Sequence, residues 1–442
     1  MFCRECRRLK RCTNGWEQVC RTVGCQLFLA FRMIITSKFR ALSWQQRHAF
    51  IACFLGWTLD AFDYFLLVFC LSAIAADFHC KTAEVAEAIF LTLAFRPVGA
   101  LLFGRLADRF GRRPVLMLNI CCYSGLMVAC AFAPSLHALL ILRAFFGIAM
   151  GGEWGVGAAL AFESLPREGR GFFSGVLQEG YAAGYLLAAA VYGGLFHFLG
   201  WRGLFFLGAA PAVLVFYIAF KVGESPAWSH SPSSAEPAER NARQGMLDAF
   251  RRYGFTFLFM VILMAAFTAF SHGTQDLYPT FLEKELGFRP SVVGVVGIVY
   301  NLGAISGGML FGALSESWGR KRAIITAALL TLPVIPFYAL SHSVYVIAAG
   351  AFCMQFFVQG AWGVVPAYLS ELSPGPVRGT FPGFAYQLGN LITSKNGVIQ
   401  ARAAERFGGF GRVLSATVVI VALLLALITS QGRESRGAEL DA

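Results

Sequence analysis

The chain has 442 residues, 57% of them hydrophobic and 14% charged, with a mean hydropathy of +0.61 and a net charge of +12. Soluble domains carry about 25% charged residues, so the composition excludes a water-soluble globular protein and points to a chain whose solvent is largely lipid. The positive excess does not call for nucleic acid, because 27 of the 37 Lys and Arg fall on one side of the span pattern that follows, where topology and anionic lipid account for them.

In chain order, a basic tail at 1–48 precedes twelve apolar runs near the roughly 20 residues that cross a bilayer. The spans are 49–76, 85–106, 114–133, 136–163, 171–196, 202–221, 252–281, 290–314, 322–341, 343–369, 377–403 and 411–430. An all-α polytopic membrane protein is expected. With both ends on one side, the opposite side holds seven basic residues, while Arg96, Arg143 and Lys395 fall within spans. The positive-inside rule then puts both termini in the cytoplasm, in the cell membrane and for a bacterium the inner one. The first residues lack the apolar core and cleavage site of a signal peptide. Cys3, Cys6, Cys12, Cys20 and Cys25 offer "CREC" without a second pair at zinc spacing, so no metal or other cofactor is expected. "MIITSKFRALSWQQRHAF", from Met33, reads as an ordinary lead-in and makes Met33 a second candidate start beside Met1.

The chain repeats itself at an offset of 208. "GRLADRFGRRP" at 104 aligns with "GALSESWGRKR" at 312, "GEWGV" at 152 with "GAWGV" at 360, and "ESLPREGRGFFSG" at 163 with "ELSPGPVRGTFPG" at 371. Two six-helix halves follow, 49–221 and 252–430. A Pro/Ser-rich cytoplasmic linker at 222–251 joins them, and a cytoplasmic tail at 431–442 ends the chain. Each half has a short basic turn between its second and third spans, formed by Gly104, Asp108, Arg109, Gly111 and Arg112 and matched by Glu316 and Arg320. Asp108 and Glu316 are placed to cap the positive N-terminal ends of spans 11 and 5 in the opposite halves, the alternative being a solvated loop.

"GRLADRFGRR" and the glycine-rich "RAFFGIAMGGEWG" resemble the signature turn and fourth helix of the major facilitator superfamily. The resemblance implies twelve helices in two repeats, a rocker-switch mechanism, a central substrate site and gating by the basic turns. "GGEWG" followed by "ESLPREGRG" resembles, more narrowly, the proton symporters of organic acids and metabolites.

A charge at the bilayer centre costs at least about 2.5 kcal/mol, so each one needs a partner or a purpose. Asp60 and Asp63 share a face in mid-span 1, and Arg96 lies at a similar depth in span 2, so the three can meet as a structural ion pair. Alternatively, the planar fork of Arg96 binds a substrate carboxylate by two parallel hydrogen bonds. Glu153 and Glu179 add carboxylates in spans 4 and 5, with Arg143 expected to pair with one of them. In "SHGTQD", at 271–276, His272 and Asp276 form an i, i+4 pair beside Ser271 and Gln275; a locked structural hydrogen bond is one reading, and a water-filled cavity, with the pair titrating as a unit, is the one expected in a membrane. Gly273 and Pro279 weaken the outer half of that span.

"TAFSHGTQDLYPT" is similar to the motif of the Jen-type lactate/monocarboxylate permeases of the sialate:proton symporter family, with Thr268 where that family has Asn. "FPGFAYQLGN" resembles the family's eleventh helix, which implicates Gln387 and Asn390. The resemblance implies a proton-coupled symporter of lactate or pyruvate. Arg96, His272, Gln275, Gln387 and Asn390 would hold substrate, and Asp276, His272, Asp63 and Glu179 would carry the proton. The partners are then a small carboxylate, a proton and the bilayer, without nucleic acid, and the chain would act as a monomer. Rival readings are a symporter for a larger organic acid or sialate, and a non-transporting receptor with the same fold. No catalytic nucleophile or metal cluster suggests an enzyme.

Overall fold

The computed structural model describes residues 37–229 and 242–440. The five N-terminal cysteines and Met33 lie outside the described residues. Residues 37–47 belong to a small unit of their own, in which Ser43 and Gln46 exchange backbone and side-chain hydrogen bonds and Arg47 donates to the carbonyls of Arg40 and Leu42.

Beyond a short helical stretch at 37–41, the first half of the chain forms α1 (Trp44–Asp77), α2 (Thr82–Phe110), α3 (Arg112–Ala131), α4 (Leu136–Ser164), α5 (Arg170–Gln178), α6 (Gly180–Leu207), α7 (Pro211–Lys221) and α8 (Pro226–Ser229). There follow α9 (Ala242–Gln275), α10 (Tyr278–Lys284), α11 (Pro290–Trp318), α12 (Arg320–Leu330), α13 (Ile335–Ala339), α14 (Val344–Leu372), α15 (Phe381–Thr393), α16 (Asn396–Phe407) and α17 (Phe410–Gln431). They make twelve crossings. Nine are single long apolar stretches; a tenth stretch, Arg170–Lys221, runs 52 residues and turns back at Gly200, so it crosses twice. The remaining crossing is α15 with α16, broken at Ser394 and Lys395.

The repeat is visible in the turns. Gly111 and Gly319 each form a one-residue corner between long helices, with φ of 102° and 98°, a backbone region that a side chain disfavours. The strongest packing pairs are also repeat mates, α2 on α4 and α11 on α14. Between the halves, α15 packs on α2 and α5 on α11. Small residues permit this approach: a Cβ on Gly171 would stand 2.2 Å from the Gly312 carbonyl oxygen, and one on Gly104 2.7 Å from the Thr380 Cα.

Two boundaries differ from the sequence reading. The linker is not loose at its start, since Ser225 is buried and α8 packs on α4, and α9 begins at Ala242, inside the segment read as linker. In the segment after 431, polar side chains satisfy helix ends described next.

Candidate transport site

The face that carries the two basic turns, called the base here, is closed by bonds between the halves. The Asp108 carboxylate accepts hydrogen bonds from the Gly379 N–H at 2.7 Å and the Thr380 hydroxyl at 2.6 Å, at the N-terminus of α15. Its repeat mate Glu316 accepts one from the Phe172 N–H at 2.9 Å, in the first turn of α5. Free N–H groups and the helix dipole both favour a carboxylate there.

Within each half, Arg112 forks onto Glu163 with two bonds of 3.0 Å, and Arg320 onto Glu371 with bonds of 3.0 and 2.8 Å. These paired forks keep buried charges satisfied. Arg112 also lies 3.4 Å from Asp108. Arg109 is exposed and lies over the Phe110 ring.

A third layer had no counterpart in the sequence reading. Glu224 accepts hydrogen bonds from the Arg112 and Arg113 N–H groups and Glu434 from those of Arg320 and Lys321, so each caps the third span of its half. The neighbouring hydroxyls of Ser225 and Ser435 donate to Glu163 and Glu371. Burial pushes the Glu224 carboxyl above the usual glutamate range, against the pull of the backbone N–H groups it accepts from. The signal was a Glu-Ser pair closing each half, at 224–225 and 434–435. Its offset is 210 rather than 208, which hid it from the alignment.

Mid-membrane, the buried charges do not pair as expected. Asp60 and Asp63 are fully buried, and none of their four carboxylate oxygens has a hydrogen-bond partner; the same holds for both oxygens of Glu153. Arg96 is the cation acting on Asp60 and Arg143 the cation acting on Asp63. Neither guanidinium reaches them by a hydrogen bond. Arg96 donates to the Met150 sulfur, lies 5.3 Å from the Tyr64 ring centre and keeps an unsatisfied Nε–H. Arg143 instead packs on Phe146, at 4.4 Å, and on the Met127 sulfur. Glu179 stands against span 8 of the other half, where a Cβ on Gly308 would meet its carboxylate at 2.4 Å.

Around Arg96, tyrosines from both halves converge. Tyr64, Tyr181 and Tyr386 all lie within its field, and the Tyr386 ring lies 4.8 Å from that of Trp154, tilted by 32°. With aromatic residues at 14% of the chain, nothing in the sequence singled these three out. Beside them, Asn390 donates to Gln387 at 3.3 Å and accepts from Thr268 of span 7 at 2.9 Å.

Span 7 breaks between Gln275 and Tyr278. Gln275 donates to Ser271 at 3.0 Å and accepts from the Tyr300 hydroxyl at 2.8 Å. His272 Nδ1 lies 3.1 Å from Asp276, and these side chains are 48% and 40% exposed, so the pair is open. Asp276 acts electrostatically on Tyr64 of span 1, across the gap between the halves. Lys395, at the break in span 11, is exposed.

The Major Facilitator Superfamily model matches residues 53–275 and 276–429. A carboxylic acid transporter protein homolog of Saccharomyces cerevisiae is 28% identical over 83% of this chain, which spans only 63% of that longer relative. A probable 4-methylmuconolactone transporter of Cupriavidus pinatubonensis is 31% identical, over 80% of this chain and 83% of its own length. Sialic acid transporter NanX of Escherichia coli is 27% identical, over 89% and 96%. Among solved structures, the proton:xylose symporter XylE superposes with a TM-score of 0.73 at 18% identity, covering 90% of this chain and 98% of XylE, a likeness of fold alone. The chain is a multi-pass membrane transporter rather than an enzyme, and it belongs to the Major Facilitator Superfamily.

Proposed function

We propose that this chain is a proton-coupled symporter of small monocarboxylates such as lactate or pyruvate, working by alternating access with its base in the cytoplasm. The observation that carries this reading is Arg96. It is a buried guanidinium at the meeting point of the two halves, with an unsatisfied Nε–H and no carboxylate bonded to it. A planar fork left with spare donors is suited to a carboxylate ligand. Gln387 and Asn390 supply amides beside it, and His272 and Gln275 line the open approach.

The proton step falls to carboxylates. Asp276 with His272 takes the proton at the open end, while Asp63 and Glu179 lie deeper, where a bare negative charge is costly. Loading a proton with the anion neutralises the central space, which lowers the cost of closing the halves around it. Gating belongs to the two basic turns, Gly104, Asp108, Arg109, Gly111 and Arg112 with Glu316 and Arg320, where the bonds of Asp108 and Glu316 join the halves at the base.

A larger acid is the second reading. Phe65 packs edge-to-face on Tyr181 and Tyr185, with ring centres 5.1 and 4.9 Å apart, an aromatic cluster with more apolar area than lactate needs. The names of the methylmuconolactone and sialic acid carriers favour the same direction. Competition for labelled pyruvate counterflow in proteoliposomes separates the two. Inhibition by lactate at lower concentration than by benzoate or sialate supports the small-acid reading, and the reverse order replaces it.

A further inference from the structure

The segment after α17 crosses the base from one half to the other. It is rooted in the second half: Glu434 caps α12, Ser435 donates to Glu371 at 2.8 Å, Arg436 donates to the Ser317 carbonyl and the Arg433 carbonyl accepts from Tyr368. Beyond that root, it meets two arginines that are repeat mates, 208 residues apart. Arg170, at the start of span 5 in the first half, donates to the Ala438 carbonyl at 2.9 Å. Arg378, in the matching turn of the second half, donates to the Leu440 carbonyl at 2.8 Å. Arg167 of the first half forms an ion pair with Glu439 between them, and Leu440 is buried.

One short piece of chain is thus held by equivalent side chains of both halves. Glu224 and Ser225 duplicate the root in the first half, where Glu224 caps α3 and Ser225 donates to Glu163. The reach across to the opposite half is described only for the C-terminal segment.

We propose that residues 437–440 are a strap that holds the base closed. Bonds from Glu434, Ser435 and Arg436 lie within one half and survive any rocking of the halves. Those from Arg167 and Arg170 to Ala438 and Glu439 join different halves and are made only while the base is shut. A contact made in one state and absent from the other shifts the equilibrium toward the state that has it. Because Arg170 and Arg378 bind main-chain carbonyls, the strap depends on the length and path of the segment more than on its side chains. It acts whatever the substrate is.

The test is hydrogen–deuterium exchange on the full chain in lipid nanodiscs, compared with a variant lacking residues 437–442, which keeps Glu434 and Ser435 in place. Exchange at 165–180 and 375–385 should rise about tenfold, the scale set by losing charge-assisted bonds across the base, while the interior of α3 stays unchanged. Should the shortened protein fail to fold, a six-residue Gly/Ser insertion between Arg436 and Gly437 keeps every bonding group but dilutes the strap, and should give a smaller rise at the same segments. Unchanged or slower exchange at the base in whichever variant folds overturns the proposal.

Discussion

Arg96 concentrates the chemistry of the site, because its charge is buried where lipid and protein offer it no carboxylate bond. Lysine at that position keeps the charge and loses the fork. Arg96→Lys should therefore raise the half-saturating concentration for substrate by at least about tenfold, the scale of one good charge-assisted hydrogen bond, with the amount of folded protein unchanged. A saturation curve like the wild type's would make Arg96 a structural residue. Single residues of this kind were legible from sequence because an isolated charge inside an apolar run has few innocent explanations. Their partners were not legible. Asp60, Asp63 and Arg96 share a depth, yet Arg96 turns to Met150 and Tyr64, and Arg143 turns to Phe146 and Met127. Side-chain direction depends on neighbouring helices, which the periodicity of one span does not contain.

At the scale of the element, span 7 carries the clearest mechanical feature. Gly273 and Pro279 announce that its helix is weak, and the helix does break after Gln275, which leaves carbonyls without their usual donors. The Tyr338 hydroxyl takes up the Thr274 carbonyl, Tyr278 donates to the Tyr338 carbonyl at 3.1 Å, and the two rings stack at 4.3 Å. Gln400 of span 11 holds the adjacent Gly273 carbonyl at 2.9 Å. Tyr338→Phe preserves the stack but strands a buried carbonyl, at a cost of about 1–3 kcal/mol. The expected outcome is a lower melting temperature in detergent and slower exchange of substrate; an unchanged melting temperature would show that the break needs no such support. The weak residues were readable in the chain. The tyrosine that stabilises them comes from span 9, some sixty residues on, and the matching break in span 11 at Ser394 and Lys395 has no proline to mark it.

For the whole molecule, the two-fold repeat organises both ends of the account. Asp108 and Glu316 each cap a helix of the opposite half, so base closure rests on carboxylates whose positions followed from aligning the chain with itself. Asp108→Asn retains an acceptor oxygen and removes the charge that faces the dipole of α15, worth roughly 1 kcal/mol. Maximal transport rate should fall several-fold while substrate affinity stays within about twofold, and equal rates for the two proteins would return Asp108 to an ordinary loop position. The caps at Glu224 and Glu434 are 210 rather than 208 residues apart, so the repeat offset did not point to them. The proposed proton coupling of a small acid belongs to the molecule as a whole. Its most direct test is accumulation of labelled lactate or pyruvate by proteoliposomes with an alkaline interior, measured against protein-free vesicles because neutral weak acids cross lipid unaided. The wild-type protein should concentrate the acid above that baseline until a protonophore is added, and Asp276→Asn should allow exchange of preloaded substrate without accumulation. Vesicles that fill only to equilibrium whatever the pH gradient, with either protein, would contradict the account.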